Sequence, residues 1–225
     1  MTDSNIKKWI ASHNSDYAAV RDRLDAVRNV LLNGRIDAAA TVLEKAYMFA
    51  VLSIKTSNEQ HERAFTAHYG GELNRKDACL ETVYGGHKAS WSARTFDTVD
   101  WETLALAVRS HVSEGRYGTL LDVVDDNLVG VAHRKGAFML AMSGLHEYLC
   151  IDSNVARYGG FEDSREGSSL SFNNAQAYFE ACEEIQEQAG IGNLPPFIVQ
   201  WAIYDFERGE HARHMAFFRE VLPLW

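Results

Sequence analysis

The stretch LVGVAHRKGAFMLAMSGLHEYLCIDSN, residues 128–154, decides how the fold is interpreted. A turn around Gly130 leads into an apolar run, and Lys135 and Asp152 stand near the two ends of that run. Glycine permits backbone conformations that other residues avoid, and the first amides of the next helix are free. The stretch therefore predicts a buried helix with Lys135 and Asp152 at its ends, preceded by a turn suited to a phosphate. From Gly130 alone, an ordinary helix connection remains the simpler interpretation.

The rest of the chain has the apolar spacing of helices and no steady alternation of apolar and polar residues, so we predict no sheet. Residues 37–57, DAAATVLEKAYMFAVLSIKTS, are apolar on nearly all sides, which is typical of a central buried helix. An amphipathic helix before them is expected to be capped by Ser15 and to stop at Gly34, and one after them to be capped by Asn58. Residues 159–174 have the composition of an exposed loop. These patterns predict an all-α fold.

Composition limits the functional classes. The 225 residues carry a net charge of −9, which weighs against a nucleic-acid partner, although a local basic face can still hold phosphate. The three cysteines are far apart and predict neither disulfides nor a cysteine metal site. His211 and His214 have no accompanying ligands at suitable spacing, so we predict no metal or other cofactor. No membrane-length apolar run and no signal-peptide centre are present, so we expect no membrane partner and an intracellular location.

Three segments carry a family resemblance. LVGVAHRKGAF followed by CIDSNVAR resembles the helix-hairpin-helix and Gly/Pro-Asp signature of the base-excision DNA glycosylase superfamily. YMFAVLSIKTSNEQHERAF resembles the family's early helix and its Leu-Ser-x-Gln loop, with Lys55 in place of the glutamine that enters the DNA. FIVQWAIYDF resembles a C-terminal helix that lines the base pocket in oxoguanine-type members, with Gln200 and Tyr204 at the matching spacing. Together they span about residues 47–206.

The sequence also departs from the family pattern. Ala132 replaces the second glycine of the usual hairpin, and Asn154 replaces the histidine that usually follows the aspartate. The hairpin is one residue longer if Lys135 is the family lysine, whereas an ungapped count places Arg134 there. We prefer Lys135 because KGAF then aligns with the family's small residue and apolar helix. The four-cysteine iron–sulfur pattern is absent, so the resemblance is to lysine-containing oxoguanine-type members without a cluster.

The resemblance implies an all-α fold of two helical subdomains with a DNA and base cleft between them and a helix-hairpin-helix motif. Residues 1–225 would form a single glycosylase-like domain. Its central helix-hairpin-helix subdomain would cover about residues 58–158, and helices from 1–57 and 159–225 would form the second subdomain. The partner would be double-stranded DNA containing a damaged base, and the protein would act as a monomer.

The implied reaction is excision of a damaged base, with an oxidised purine as the leading expectation, after the nucleotide swings out of the stack. Asp152 would stabilise positive charge on the sugar, and Lys135 would form a Schiff base that permits strand cleavage. Desolvation or a cationic neighbour would have to lower the pKa of Lys135, while Asp152 opposes this. Gln200 and Tyr204 would contact the base. The residues expected to bind DNA are Lys55 as a wedge, Gly130, Val131, Ala132, His133, Arg134 and Asn154.

Other interpretations remain open at this point. Lys135 can be a solvated residue at a helix start, Asp152 an N-cap, and Gln200 and Tyr204 packing residues. A related glycosylase mechanism hydrolyses the base bond without a lysine intermediate. The chain can also be a helix-hairpin-helix DNA-binding protein without catalysis, or a helical interaction protein unrelated to DNA.

Overall fold

The computed structural model describes residues 3–158, 172, 174–189, 194–208, 211 and 215. Every regular element in these ranges is helical, so the all-α prediction is confirmed for the described part of the chain. None of the described helices is long and apolar enough to cross a membrane. The helices are α1 (Asp3–Ser12), α2 (Asn14–Asn33), α3 (Ile36–Leu52), α4 (Asn58–Tyr69), α5 (Arg75–Leu80), α6 (Gly85–Thr98), α7 (Trp101–Ser113), α8 (Tyr117–Asn127), α9 (His133–Met142), α10 (Ser153–Tyr158), α11 (Ala175–Ala189) and α12 (Pro196–Arg208).

Helix α3 is the centre of the packing, as its composition predicts. Every residue from Ala46 to Leu52 is buried. The helix contacts α2, α4, α6, α7 and α9, so it has neighbours on several sides and no broad polar face. The end of α3 therefore lies in the interior, where its last carbonyl groups need hydrogen-bond donors from other elements.

Helices α8 and α9 form a tight pair joined by residues 128–132. Gly136 allows the close approach, because a Cβ atom at this position would lie 3.1 Å from Cγ1 of Val124. The turn is also fixed from α3: the Tyr47 hydroxyl lies 2.9 Å from the Val129 carbonyl oxygen, to which it donates. A buried helix thus holds the turn that precedes Lys135.

Several local expectations need correction. Gly34 ends α2 as predicted, with its N–H donating to Val30 O at 3.0 Å. The Ser15 cap is wrong, because α1 leads almost directly into α2, which begins at Asn14. The cap of α4 is Ser57 and not Asn58: its hydroxyl oxygen accepts from the Gln60 N–H, 3.4 Å away.

The prediction that one helix carries Lys135 and Asp152 at its ends is also wrong. Helix α9 ends at Met142, and Asp152 is the last residue of the ten-residue connection that leads into α10. Gly144, at φ +87°, lies early in this connection and reverses the chain there. The division into two subdomains stays a prediction. The expected loop at 159–174 falls outside the described residues except for Phe172 and Asn174.

Candidate functional site

The amine of Lys135 meets the end of α3. Its Nζ donates to the Ser53 hydroxyl oxygen at 2.7 Å, and the Ser53 hydroxyl donates in turn to the Ala50 carbonyl at 2.7 Å. The single proton of Ser53 is therefore engaged, and Ser53 acts on Lys135 only as an acceptor. The side chain of Lys135 is half-buried, with Nζ 4.8 Å from the ring centroid of Phe138.

Burial is the main influence on the charge of this amine. Burial lowers the pKa of Lys135, and the neighbouring Arg134 acts in the same direction. The Cys150 thiol and the Asp152 carboxylate oppose the change. A lowered pKa increases the fraction of neutral, nucleophilic amine near neutral pH. Arg134 and Asp152, two other predicted site residues, thus influence the charge of Lys135 through space.

Asp152 caps helix α10. Its Oδ1 accepts from the backbone N–H groups of Asn154 and Val155, both at 2.9 Å, which confirms the N-cap interpretation. Its Oδ2 has no hydrogen-bond partner within the described ranges, and no ion pair with Lys135 is formed there. The carboxylate is thus held in a fixed orientation by one oxygen while it still influences the lysine through space. The backbone of Asn154 takes part in this cap.

The turn before α9 depends on a glycine. Gly130 has φ +87°, and a Cβ atom there would lie 2.7 Å from the Trp91 ring. Val131 is buried, which anchors the turn, whereas Ala132 is exposed. Ala132 is the N-cap residue of α9, and its side chain cannot cap the amides that follow it; none of the described side chains accepts from them. These amides are therefore free to bind an anion.

The two basic residues of this turn differ. His133 Nε2 lies 3.5 Å from Asp122 and 3.7 Å from Asp125, both on the exposed face of α8. Arg134 is half-buried and has no hydrogen bond or ion pair in the part of the chain that the structure describes. Arg134 is consequently the better placed of the two to meet an external anion.

Lys55 lies on the surface, in the connection between α3 and α4 that also contains Ser53. It is exposed and has φ +50°, and its Nζ lies 5.6 Å from the ring centroid of Tyr84. Tyr84 has φ +58° and is 53% exposed, and Val83 beside it is 42% exposed. Two non-glycine residues in left-handed conformations thus present a cation and an aromatic ring side by side. The sequence analysis missed Tyr84, whose only signal was the Gly-Gly pair after it.

Gln200 and Tyr204 make internal contacts in this structure. The Gln200 Oε1 accepts from the Cys150 N–H at 2.6 Å, and the side chain is buried. The Tyr204 hydroxyl accepts from the side-chain amide of Asn58 at 3.0 Å. Gln200 therefore links α12 to the segment that leads into Asp152, which agrees with the packing interpretation; contact with a base stays a prediction.

A second lysine at the end of α3 was also missed. Lys88, in α6, is fully buried, and its Nζ donates to the Leu52 carbonyl at 2.9 Å and to Thr56 Oγ1 at 2.6 Å. The nearby His61 is buried as well, and burial together with Lys135 and Lys88 lowers the pKa of His61 to about 3. In the described ranges no three His, Cys, Asp or Glu side chains are grouped closely enough to hold a metal ion.

Comparisons with known proteins add no family to this picture. No family model, no curated protein and no solved structure matches the chain.

Proposed function

We propose that this protein is a DNA glycosylase with an associated lyase step, acting on double-stranded DNA that contains a damaged base. The observation that carries the proposal is the environment of Lys135: a desolvated amine fixed by Ser53 and influenced by Asp152, with no ion pair in the described ranges to hold it. An oxidised purine is the substrate that the sequence resemblance favours. The reaction belongs to base-excision repair.

The chemistry uses the amine as a nucleophile. The lone pair of Lys135 attacks C1′ of the sugar while the bond from C1′ to the base breaks, and the base leaves with that electron pair and takes up a proton. Positive charge that develops on the sugar is stabilised by the Asp152 carboxylate, whose Oδ2 has no hydrogen-bond partner within the described ranges. Opening of the sugar ring gives a Schiff base, and loss of a C2′ proton expels the 3′ phosphate.

Phosphate binding is assigned to the turn before α9. The uncapped amides that follow Ala132 and the guanidinium of Arg134 provide donors on one side of the turn. Asp122 and Asp125 lie on the α8 side and would repel a phosphate. The DNA backbone is therefore expected to approach Arg134 and to avoid the exposed face of α8. This arrangement suits a net acidic protein, because only a local surface has to be basic.

Extrusion of the damaged nucleotide is assigned to Lys55 together with Tyr84. Unstacking a base costs a few kcal/mol, and a side chain that fills the vacated space offsets part of that cost. The exposed ring of Tyr84 can stack on a base, and the Lys55 amine next to it can contact a phosphate. A cleft between two subdomains, into which the nucleotide would turn, is part of the proposal.

The proposal is tested by incubating the protein with duplexes that each carry one damaged base, with and without alkali treatment and with borohydride. We expect base release, strand cleavage without alkali, and a borohydride-trapped covalent adduct. Lys135→Gln should abolish the adduct and leave duplex binding intact, and Asp152→Asn should slow base release by about 100-fold or more. Lys76→Gln, on the exposed surface of α5, is the matched control and should behave as wild type.

Three results would overturn parts of the proposal. Base release that survives Lys135→Gln and needs alkali for strand cleavage would exclude the lysine intermediate and leave simple hydrolysis. Salt-sensitive duplex binding without base release across the whole lesion panel would favour a DNA-binding protein without catalysis. Absence of duplex binding would exclude double-stranded DNA as the partner.

A further inference from the structure

Lys88 is a buried cation whose described partners are all neutral. Its ammonium group donates to the Leu52 carbonyl at 2.9 Å, to Thr56 Oγ1 at 2.6 Å and to Thr82 Oγ1 at 3.1 Å. No carboxylate forms an ion pair with it in the described ranges. A charge buried in this way lowers the stability of the fold, because no opposite charge compensates for the loss of hydration. Its hydrogen bonds join α6 to the end of α3, to the connection after α3 and to the turn before α6.

The two lysines converge on adjacent residues. Lys88 binds the carbonyl of Leu52, the last residue of α3, and Lys135 binds the side chain of Ser53, the next residue. The Leu52 carbonyl is one of the helix-terminal groups that lack an intrahelical partner, so Lys88 fixes the end of α3. The position of Ser53, and with it the position of the Lys135 amine, follows from that anchor.

We propose that Lys88 is a positioning residue for Lys135: it anchors Leu52 and Thr56 on either side of Ser53 and supplies a fixed positive charge beside the amine. The inference rests on the proposed function only in taking Lys135 as the nucleophile. Because the Ser53 proton is engaged by Ala50, an N–H of the lysine points towards Ser53 and the lone pair of the neutral amine points elsewhere.

Several neighbouring groups change the pKa values of Lys88 and Lys135. Burial lowers the pKa of Lys88 to about 8, with Lys135 acting in the same direction and the Cys79 thiol opposing it. The interaction of two charges is mutual, so charged Lys88 also disfavours the charged form of Lys135. Lys88 is mostly charged below about pH 8, so its charge lowers the pKa of Lys135 at neutral pH. The other groups around Lys135 are Arg134, Cys150, Asp152 and His61.

Reductive methylation measures this coupling without DNA. The amine condenses with formaldehyde to an iminium ion and releases water, and cyanoborohydride delivers the hydride that completes the methylamine. Only the neutral amine reacts, so the methylation rate of Lys135 between pH 6 and 9, followed by mass spectrometry of its peptide, reports its protonation. The exposed Lys76 in the same samples is the internal reference.

We expect Lys88→Met to lower the methylation rate of Lys135 relative to Lys76 at pH 7 by about three- to tenfold, with the difference disappearing at high pH. Lys88→Arg keeps a positive charge and should keep the wild-type rate. An unchanged pH profile in a folded Lys88→Met protein would overturn the proposal. If the role of Lys88 were only structural, its replacement would not lower the methylation rate of Lys135 selectively at low pH.

A milder variant covers the case in which Lys88→Met does not fold. Thr82→Val removes one acceptor of the ammonium group, so less Lys88 is charged at pH 7.5, and the Lys135 rate should fall by about twofold. No change in the folded Thr82→Val protein would then count against the proposal. Because the assay contains no DNA, a lost methylation effect refutes the role of Lys88, whereas absent base release refutes the proposed function alone.

Discussion

Two buried polar clusters in this protein differ in whether opposite charges compensate their buried charges. The acid cluster consists of Asp16, Asp205, His211 and Tyr17. Its groups are mutually complementary: the Tyr17 hydroxyl donates to Asp205 at 2.8 Å, and the ring nitrogens of His211 lie 3.1 Å from Asp205 and 2.9 Å from Asp16. Burial and the neighbouring Asp205 raise the pKa of Tyr17, so its proton stays in place as a donor.

The amine cluster consists of Lys88, Lys135 and His61. Within the described part of the chain, the hydrogen bonds of its lysines go to neutral oxygens within 3.1 Å, from Leu52, Ser53, Thr56 and Thr82. The acid cluster therefore stabilises the packing of α2 against α12, whereas the amine cluster holds positive charge that an anionic ligand would offset. A buried charge without an opposite charge lowers stability, and buried groups with shifted pKa values are common at functional sites. Four predictions test this contrast.

The largest effect is expected in the acid cluster. Asp205→Ala removes the carboxylate shared by Tyr17 and His211 and should lower the free energy of unfolding by about 4 kcal/mol. Chemical denaturation measures the change. The control is Asp22→Ala, which disrupts an exposed pair with Arg21 and should change stability by under about 0.5 kcal/mol. Equal effects of the two substitutions would contradict a stabilising role for the cluster.

The amine cluster should instead appear in the acid dependence of stability. The pKa of His61 is about 3 in the folded state and 6.5 in a model compound, so between these values the unfolded chain binds more protons. Stability should therefore be lost as pH falls from about 6.5 towards 3, and the loss from this residue should reach about 3 kcal/mol at about pH 4. Denaturation at several pH values should show a flatter dependence for His61→Leu than for wild type. Parallel curves would show that His61 is not held neutral.

An intermediate effect is expected where α12 supports the segment before Asp152. Gln200→Ala leaves the buried Cys150 amide without its acceptor and should lower the free energy of unfolding by about 2 kcal/mol. If Gln200 is a support and not a base contact, base release by the folded variant should slow equally for all lesions. A change in lesion preference without loss of stability would instead assign Gln200 to the base.

The smallest change in stability is expected at the proposed nucleophile. Lys135→Met replaces a desolvated cation with an apolar side chain of similar length and should change the free energy of unfolding by no more than about 1 kcal/mol. Lys88→Met should cost more, because the Leu52 carbonyl then loses its donor. A large loss of stability in Lys135→Met would place Lys135 with the structural residues.

The sequence predicted the central helix and the pair of helices around Gly130, because apolar spacing and glycine turns are local signals. The meeting of Lys135 and Asp152 across a cleft stays a prediction. Lys88 could not be predicted: in GGHKASW a lysine looks like a surface residue, and only the end of α3 gives it acceptors. The Ser15 and Asn58 caps failed because neighbouring residues competed for the helix start. The single helix spanning Lys135 and Asp152 failed because the chain turns at Gly144.

The most direct test of the account is to locate the covalent bond to DNA. Wild-type protein is treated with borohydride during reaction with duplexes carrying oxidised purines, the trapped complex is digested, and the modified peptide is sequenced by mass spectrometry. The account predicts a single sugar adduct on Lys135. An adduct on Lys55 or another exposed lysine, or no adduct although base is released, would contradict it.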